Sequence, residues 1–371
     1  MLLLDSEQLV TDSAHKVAII SSSNALQEKI SQLLRSRGIE NVDIIRQDFH
    51  SEKVVLNAED TVGVIIDISD ESDVNIITEY VNAVIPKQMW CCLVGHSDSI
   101  SLAQKLMDKN ILYFHSELQL NLMMDKITSS TLTVSQTRHT VKVCVLGCKG
   151  GVGSSFISAH LAHQISNYKK VPVLLAQGKN GTQDLDLLFN KKLQGDIVEY
   201  NQYLDIFSGN IERLPLSDTE KYNFIVYDQP IFNVDKDNFV DFFEYSNSFV
   251  LVVERSVNSL RIAKQFLDLC SRERGNGHLI RTFVCVSDSK LELSKQMAKA
   301  DIETLLGYPV DAVIPFLRKS TAKDVLSVKL SRGTLRIFKK LAMRIIGVLS
   351  RQAMKERKSL FKAIFKKILS N

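Results

Sequence analysis

Two hydrophobic patterns alternate along the chain. Short unbroken runs of apolar and β-branched residues are separated by longer segments in which apolar positions recur every three or four residues. The first pattern suits strands buried on both faces of a parallel sheet, and the second suits helices packed on it by one side. From Lys16 the reading is strand Val17–Ile20, helix Ala25–Arg37 ended by Gly38, strands Val42–Ile45 and Val62–Ile66, then helix Val74–Val84 closed by Pro86. Strand Met89–Val94, helix Ile100–Lys109, strand Ile111–Phe114 and helix Leu118–Leu132 complete the series. Five strands, each followed by a helix, over about 115 residues predict a doubly wound parallel sheet.

A second series runs over 141–317. Val141, Val143, Val145 and Leu146 mark a strand, and Phe156, Ile157, Leu161, Ala162 and Ile165 one face of a helix. Strands Val171–Ala176, Tyr222–Pro230, Ser248–Val253, Arg281–Val286 and Val310–Pro315 follow, with helices Ser256–Cys270 and Asp301–Leu306, and another helix over Leu335–Met354. A second doubly wound domain is expected. A length of 371 residues also points to two domains. The Ser/Thr-rich stretch Thr128–Thr140 reads as the linker, so the expected division is 1–135, 136–354 and a tail, 355–371.

Composition adds little: 45% hydrophobic and 24% charged residues describe an ordinary globular protein. Cys91, Cys92, Cys144 and Cys285 lie in strand-like runs without metal spacing and read as small apolar filler. Cys91 and Cys92 alternate faces on a strand, so only one of the two belongs in the core. No signal peptide is recognised, and no apolar run approaches the ~18–20 residues that span a bilayer. The expected location is the cytoplasm.

Charge changes the picture more. From Arg318 onward 16 Lys/Arg face two acids, Asp324 and Glu356, while the whole chain carries only +4. Such a basic end addresses something anionic. Within it, Lys355–Leu369 places Leu360, Phe361, Ile364, Phe365, Ile368 and Leu369 on one half of a helical wheel and Lys355, Lys362, Lys366 and Lys367 on the other. Two readings stand for this tail: a helix on an anionic membrane surface, or a helix docked on its own domain with a solvated basic face.

The chemistry concentrates in Val141–Tyr168. A strand runs into Gly147-Cys148-Lys149-Gly150-Gly151-Val152-Gly153-Ser154-Ser155, and an amphipathic helix follows. Glycines let the backbone turn tightly enough to aim several N–H groups at one point, and the helix dipole adds positive charge there, so the loop suits phosphate. An ordinary P-loop has lysine directly before the Ser or Thr that binds magnesium. Here Ser154 stands in that place, Ser155 keeps the hydroxyl, and Lys149 supplies a cation five residues early. This loop resembles the deviant P-loop of the ParA/MinD family, which implies an ATP and Mg2+ site. Lys149, Gly150, Gly151, Val152, Gly153, Ser154 and Ser155 would cradle the nucleotide, with Lys149 reaching across a dimer to the partner's phosphates.

Other parts of that resemblance are incomplete. Tyr222–Pro230 looks like the family's Walker B strand, which places Asp228 beside Ser155 as the second metal residue. Two aspartates of MinD-like members lie before a G-x-x-x-L-D-L segment; here Gln177 and Lys179 occupy their places. Neither does a carboxylate's work. Lys179 either touches phosphate or is a solvated loop lysine. Ser287-Asp288 stands where the family often has an asparagine near adenine, and Pro315-Phe316 resembles a further family ending. Hydrolysis is therefore put in doubt more than binding, and no catalytic residue is assigned.

The N-terminal series resembles a response-regulator receiver domain, with Asp67 in the phospho-acceptor place. The acidic pair expected after the first strand is replaced by Ser21, Ser22 and Ser23, and the lysine after the fifth by His115. Without the acids, magnesium has no seat and phosphoryl transfer to Asp67 loses its electrostatic help. Asp67 then reads as a cap or turn residue, and the module as one for contact. A flavodoxin-like receiver joined to a MinD/ParA-like half resembles the TadZ/CpaE family of the Flp (tight adherence) pilus and secretion system. That implies a cytoplasmic homodimer marking the cell pole, with pilus assembly proteins as partners; attachment at the inner membrane through 355–371 stays one of the two readings of the tail. Two other classes compete: a ParA-like partitioning ATPase carrying DNA on its basic end, and a receiver-regulated output protein. The missing aspartates weigh against the first and the missing acidic pair against the second, so nucleic acid is not an expected partner.

Overall fold

The computed structural model describes residues 16–51, 54–129, 138–181, 184–192, 197–209, 214–289, 297–317 and 322–347. The tail 355–371, the end of the helix expected to Met354, and most of the linker lie outside these residues. The chain forms two compact units that divide between Arg138 and His139, except that Asn82–Val84 group with the second, and both are doubly wound α/β sheets.

In the first unit the strands are β1 (Lys16–Ile20), β2 (Val42–Ile45), β3 (Thr61–Ser69), β4 (Trp90–Gly95) and β5 (Leu112–His115). The helices are α1 (Asn24–Ser36), α2 (Val74–Val84), α3 (Ile100–Met107) and α4 (Leu120–Thr128). All pairings are parallel, in the order β2-β1-β3-β4-β5. One expectation fails: among the described residues no helix joins β2 to β3. The connection instead buries Phe49, Val54 and Leu56, and Phe49 meets the Tyr80 ring at 4.3 Å. A loop covers the sheet where a helix was expected, because three spaced apolar residues suffice to exclude water there. Cys92 is fully buried and Cys91 partly exposed, as alternation on β4 requires. Arg138, within the expected linker, is buried and donates to the carbonyls of Ile85, Pro86 and Met89.

The second unit holds β6 (Val141–Gly147), β7 (Val173–Gln177), β8 (Ile197–Asn201), β9 (Leu204–Phe207), β10 (Phe224–Pro230), β11 (Ser248–Val253), β12 (Arg281–Ser287) and β13 (Ala312–Ile314). Its helices are α5 (Ser154–Lys169), α6 (Leu185–Phe189), α7 (Leu216–Glu220), α8 (Phe242–Tyr245), α9 (Val257–Gly275), α10 (Lys299–Leu306) and α11 (Arg332–Ile345). The sheet runs β13-β12-β11-β6-β10-β7-β9-β8 and is parallel except at β8–β9, an antiparallel edge hairpin that the hydrophobic pattern did not announce. Strands β10 and β11 are buried along their whole length, which their unbroken apolar runs require. Phe266 on α9 anchors one face, with the Phe239, Phe242, Phe243 and Phe249 rings 5.1–5.9 Å away. On the other face α11 buries Phe338, Leu341 and Ile345, and Phe338 stacks on His160 of α5 at 5.1 Å. Among the described residues no helix is long and apolar enough to cross a membrane.

Candidate functional site

The site is built where β6 stops. Ile231 and Phe232, just past β10, donate their N–H groups to the Gly147 carbonyl, and Cys148 N–H bonds the Val252 carbonyl on β11, so both neighbouring strands clamp the loop's start. Gly151 and Gly153 have φ of +71° and +84°, a region that side chains pay to enter. A Cβ on Gly147 would come within 2.8 Å of Ser154 Oγ, whereas one on Gly151 would meet nothing within 4 Å. The loop is thus tight at its root and open at its crest. Val152 is buried, and Gly150 lies under the Phe232 ring.

Helix α5 begins at Gly153 with no side-chain cap and no acid in its first turn. Its leading N–H groups and the positive end of a 16-residue dipole therefore remain for an anion. Glycine at the cap leaves those donors unmet; Ser, Thr or Asp would have filled them.

Asp228 ends up directly behind this helix start. Its strand neighbours are Val145 on one side and Gln177 on the other. It is 3% exposed and accepts from Ser158 Oγ at 3.1 Å. Burial pushes its carboxyl up to about 6, the hydroxyls of Ser155 and Ser158 pull it down, and the nearby charge of Asp184 pushes it up again. A carboxylate held this far from water gains from a cation at its side. The oxygen donors Ser155, Asp228 and, one amide away, Asp184 suit a hard cation. Among the described residues no three His, Cys, Asp or Glu side chains gather as a metal cage.

Gln177 is fully buried beside Asp228 and donates its amide to Asp184 Oδ1 at 3.0 Å. Lys179 does not join the loop. It is exposed and lines a polar groove of about 220 Å³ with Asn180, Gln229, Asn238, Asp241 and Tyr245. Ser287 does approach, its Oγ 3.7 Å from a Cβ on Gly153, but Asp288 is tied to Arg255 at 2.6 Å. Phe316 is partly exposed. Lys149, half-exposed, is ion-paired with Glu254 at the end of β11.

Three residues escaped the sequence reading: Ser158, Asp184 and Glu254. Ser158 lies one helical turn past Ser154, to whose carbonyl it also donates at 2.9 Å. That spacing was visible in the sequence. Asp184 precedes the L-D-L segment and Glu254 follows the SFVLVV run, and only the folded sheet brings them to the loop.

In the first unit Asp67 is closed off. It accepts from Ser21 Oγ at 2.6 Å and from Ser69 N and Oγ at 2.8 and 3.3 Å. The ring of His115 accepts from the N–H groups of Glu117 and Leu118 and turns the chain after β5.

No family model matches the chain, and no curated protein matches it. Solved structures similar in fold include ParA- and MinD-type ATPases. A ParA family ATPase from Chlorobium tepidum is 18% identical, with 55% of this chain and 99% of that one covered at a TM-score of 0.41. The MinC:MinD cell division complex of Aquifex aeolicus gives 18%, 56%, 96% and 0.45. The cell division ATPase MinD of Pyrococcus furiosus gives 16%, 57%, 100% and 0.41.

Proposed function

We propose that this chain binds ATP and Mg2+ at Lys149–Ser155 and Asp228 and hydrolyses the nucleotide at or near background. The observation that carries the reading is the uncapped start of α5 behind a glycine loop, with buried Asp228 hydrogen-bonded to the hydroxyls of its first turns. Bound magnesium would supply charge neutralisation at the phosphates. Ser155 and Asp228 would hold it, the loop N–H groups would orient the phosphates, and Ser154 brings no cation to them. With Gln177 and exposed Lys179 in the places of the two aspartates that the MinD-like resemblance implies, the attacking water lacks the second aspartate that would help position it. Phosphoryl transfer depends on such positioning.

The domain so loaded serves as a platform for a two-fold homodimer, with Lys149 turned toward the partner's phosphates. In this reading residues 1–135 are a contact module, 136–354 the nucleotide domain, and 355–371 an attachment to an anionic membrane or a partner. The biological role is localisation and assembly of a Flp (Tad) pilus and secretion machine at the cell pole, and the receiver-like half with a closed Asp67 supports it. One set of samples tests the proposal: full-length protein with Mg2+ and ATP, followed by calorimetry, light scattering and phosphate release. Saturable binding, a dimer mass and release at the buffer rate are expected. Turnover near ~1 per second or faster makes the chain an active partitioning-type ATPase instead.

A further inference from the structure

Lys149 is the only cation of the loop Gly147–Ser155, and Glu254 of the same chain already engages it. The placement of Glu254 is built in. Strand β11 lies beside β6 with Val252 opposite Gly147, so the residue two past Val252 emerges level with the loop. The Glu254 N–H is fixed by Ser259 Oγ at 3.1 Å, and the loop's first residue, Cys148, is fully buried and bonded to β11. The Glu254 side chain is 14% exposed and that of Lys149 46%. The carboxylate is therefore the seated partner and the ammonium the mobile one.

We infer that Glu254 is a positioning residue for Lys149: it holds the ammonium in cis, and an incoming polyphosphate has to take it away. The inference rests on the reading of the loop as a phosphate site. A lysine is a compact charge on a flexible stem and changes partners readily. A half-exposed ion pair adds little to stability, so its consequence is a bias on the site. While the pair stands, the loop's cation is neutralised. A triphosphate offers more negative charge than one carboxylate and can win the exchange, whereas a nucleotide with less charge wins it less often.

The test uses full-length protein with Glu254→Gln and Glu254→Asp, each made also in a Lys149→Met background. Two quantities are read: affinity for a fluorescent N-methylanthraniloyl-ATP with Mg2+, and the acylation rate of Lys149 by an amine reagent without nucleotide, by mass spectrometry. Glu254→Gln is expected to tighten the analogue about two- to fivefold, the size of an exposed ion pair, and to speed acylation similarly. Glu254→Asp should stay near the parent, and the gain should vanish in Lys149→Met. Should the Gln variant misfold, 1 M NaCl added to the parent reads the same pair, because salt screens it; acylation should accelerate. Unchanged affinity and acylation overturn the inference, as does an equal gain in Lys149→Met, which assigns the effect to the charge of Glu254 alone. Absence of nucleotide binding in every form overturns the phosphate-site reading, and this inference with it.

Discussion

Each unit ends a central parallel strand in a buried aspartate, Asp67 on β3 and Asp228 on β10. Each aspartate lies beside the strand that feeds the first helix of its unit, β1 into α1 and β6 into α5. The frames match, but their contents are opposite. In the first unit serines consume every opening: Ser21 and Ser69 occupy the Asp67 oxygens, and Ser23 caps α1 by accepting from the Leu26 N–H. In the second, glycine leaves α5 uncapped, and burial holds Asp228 with a charge that a cation would relieve. Asp228 too accepts from serines, Ser155 and Ser158, so the difference lies at the helix start: a βα crossing becomes a site when its leading N–H groups are left uncapped, and scaffold when the chain caps them itself.

The largest expected effect comes from exchanging the two aspartates' fates. Asp228→Asn should lower Mg2+-dependent nucleotide affinity by about a hundredfold or more, above the range seen for residues that only support a metal ligand. Asp67→Ala should leave that affinity unchanged. It should instead cost about 2 kcal/mol of stability, because Ser21 Oγ and the Ser69 N–H lose their acceptor in a buried place. Calorimetric titration and denaturant unfolding of both variants read the contrast. Equal losses of affinity in the two would end it.

Acid should separate the units next. His160, on α5 behind the loop, is 3% exposed between Phe156 and Phe338, and its Nε2 has no hydrogen-bond partner. Burial first, and the nearby His163 second, push its imidazole down from 6.5 to about 4. The unfolded chain then binds the proton more tightly than the folded one. The stabilisation is complete above about pH 6.5 and drains away toward pH 4, by up to about 3 kcal/mol. Among the described residues of the first unit no histidine is buried. Asp228 in the same unit, its carboxyl pushed up to about 6, gains stability over the same range, so the His160 contribution is read at pH 7, 5.5 and 4.5 as the difference between parent and His160→Leu, which should move in the variant's favour as pH falls. A parent-to-variant difference that stays flat over that range would contradict it.

How much of this was legible in the chain follows from the range of each signal. The strand–glycine loop–helix at Val141–Lys169 and helix α2 could be read because their information is local: a run, a turn, a periodicity. The doubly wound, parallel character of the first sheet followed from the alternation of runs with helices, whereas its strand order came from the fold. The β8–β9 hairpin could not be read, since Ile197–Phe207 is short and mixes apolar with polar residues at an edge. The helix assumed between β2 and β3 failed because a few buried residues in a loop cover a sheet as well as a helix can. At the site, Gln177 was correctly seen as no carboxylate, but its amide's hold on Asp184, seven residues on, required the fold. Glu254 stands 105 residues from Lys149, and no spacing rule could have joined them.

The smallest expected effect concerns Asp184, which tells whether the second unit's site has one carboxylate or two. Gln177 stands opposite Asp228 in the ladder and reaches Asp184 with its amide, so the two acids are separated by one side chain. The charge of Asp184 already acts on Asp228. An outer carboxylate in this position orients water or the amide around magnesium without binding it directly, and such partners are worth about tenfold in metal affinity. Asp184→Asn should therefore weaken Mg2+, or Mn2+ followed by its paramagnetic signal, by about tenfold, well short of Asp228→Asn. Gln177→Asp should do the opposite of what simple acid restoration suggests. It replaces the donor to Asp184 with a third negative charge in a buried place, so metal-free protein should lose stability, and added Mg2+ should recover part of it. Asp184→Asn with unchanged Mn2+ affinity would reduce the site to Ser155 and Asp228. Asp184 would then serve only as the acceptor of the Gln177 amide.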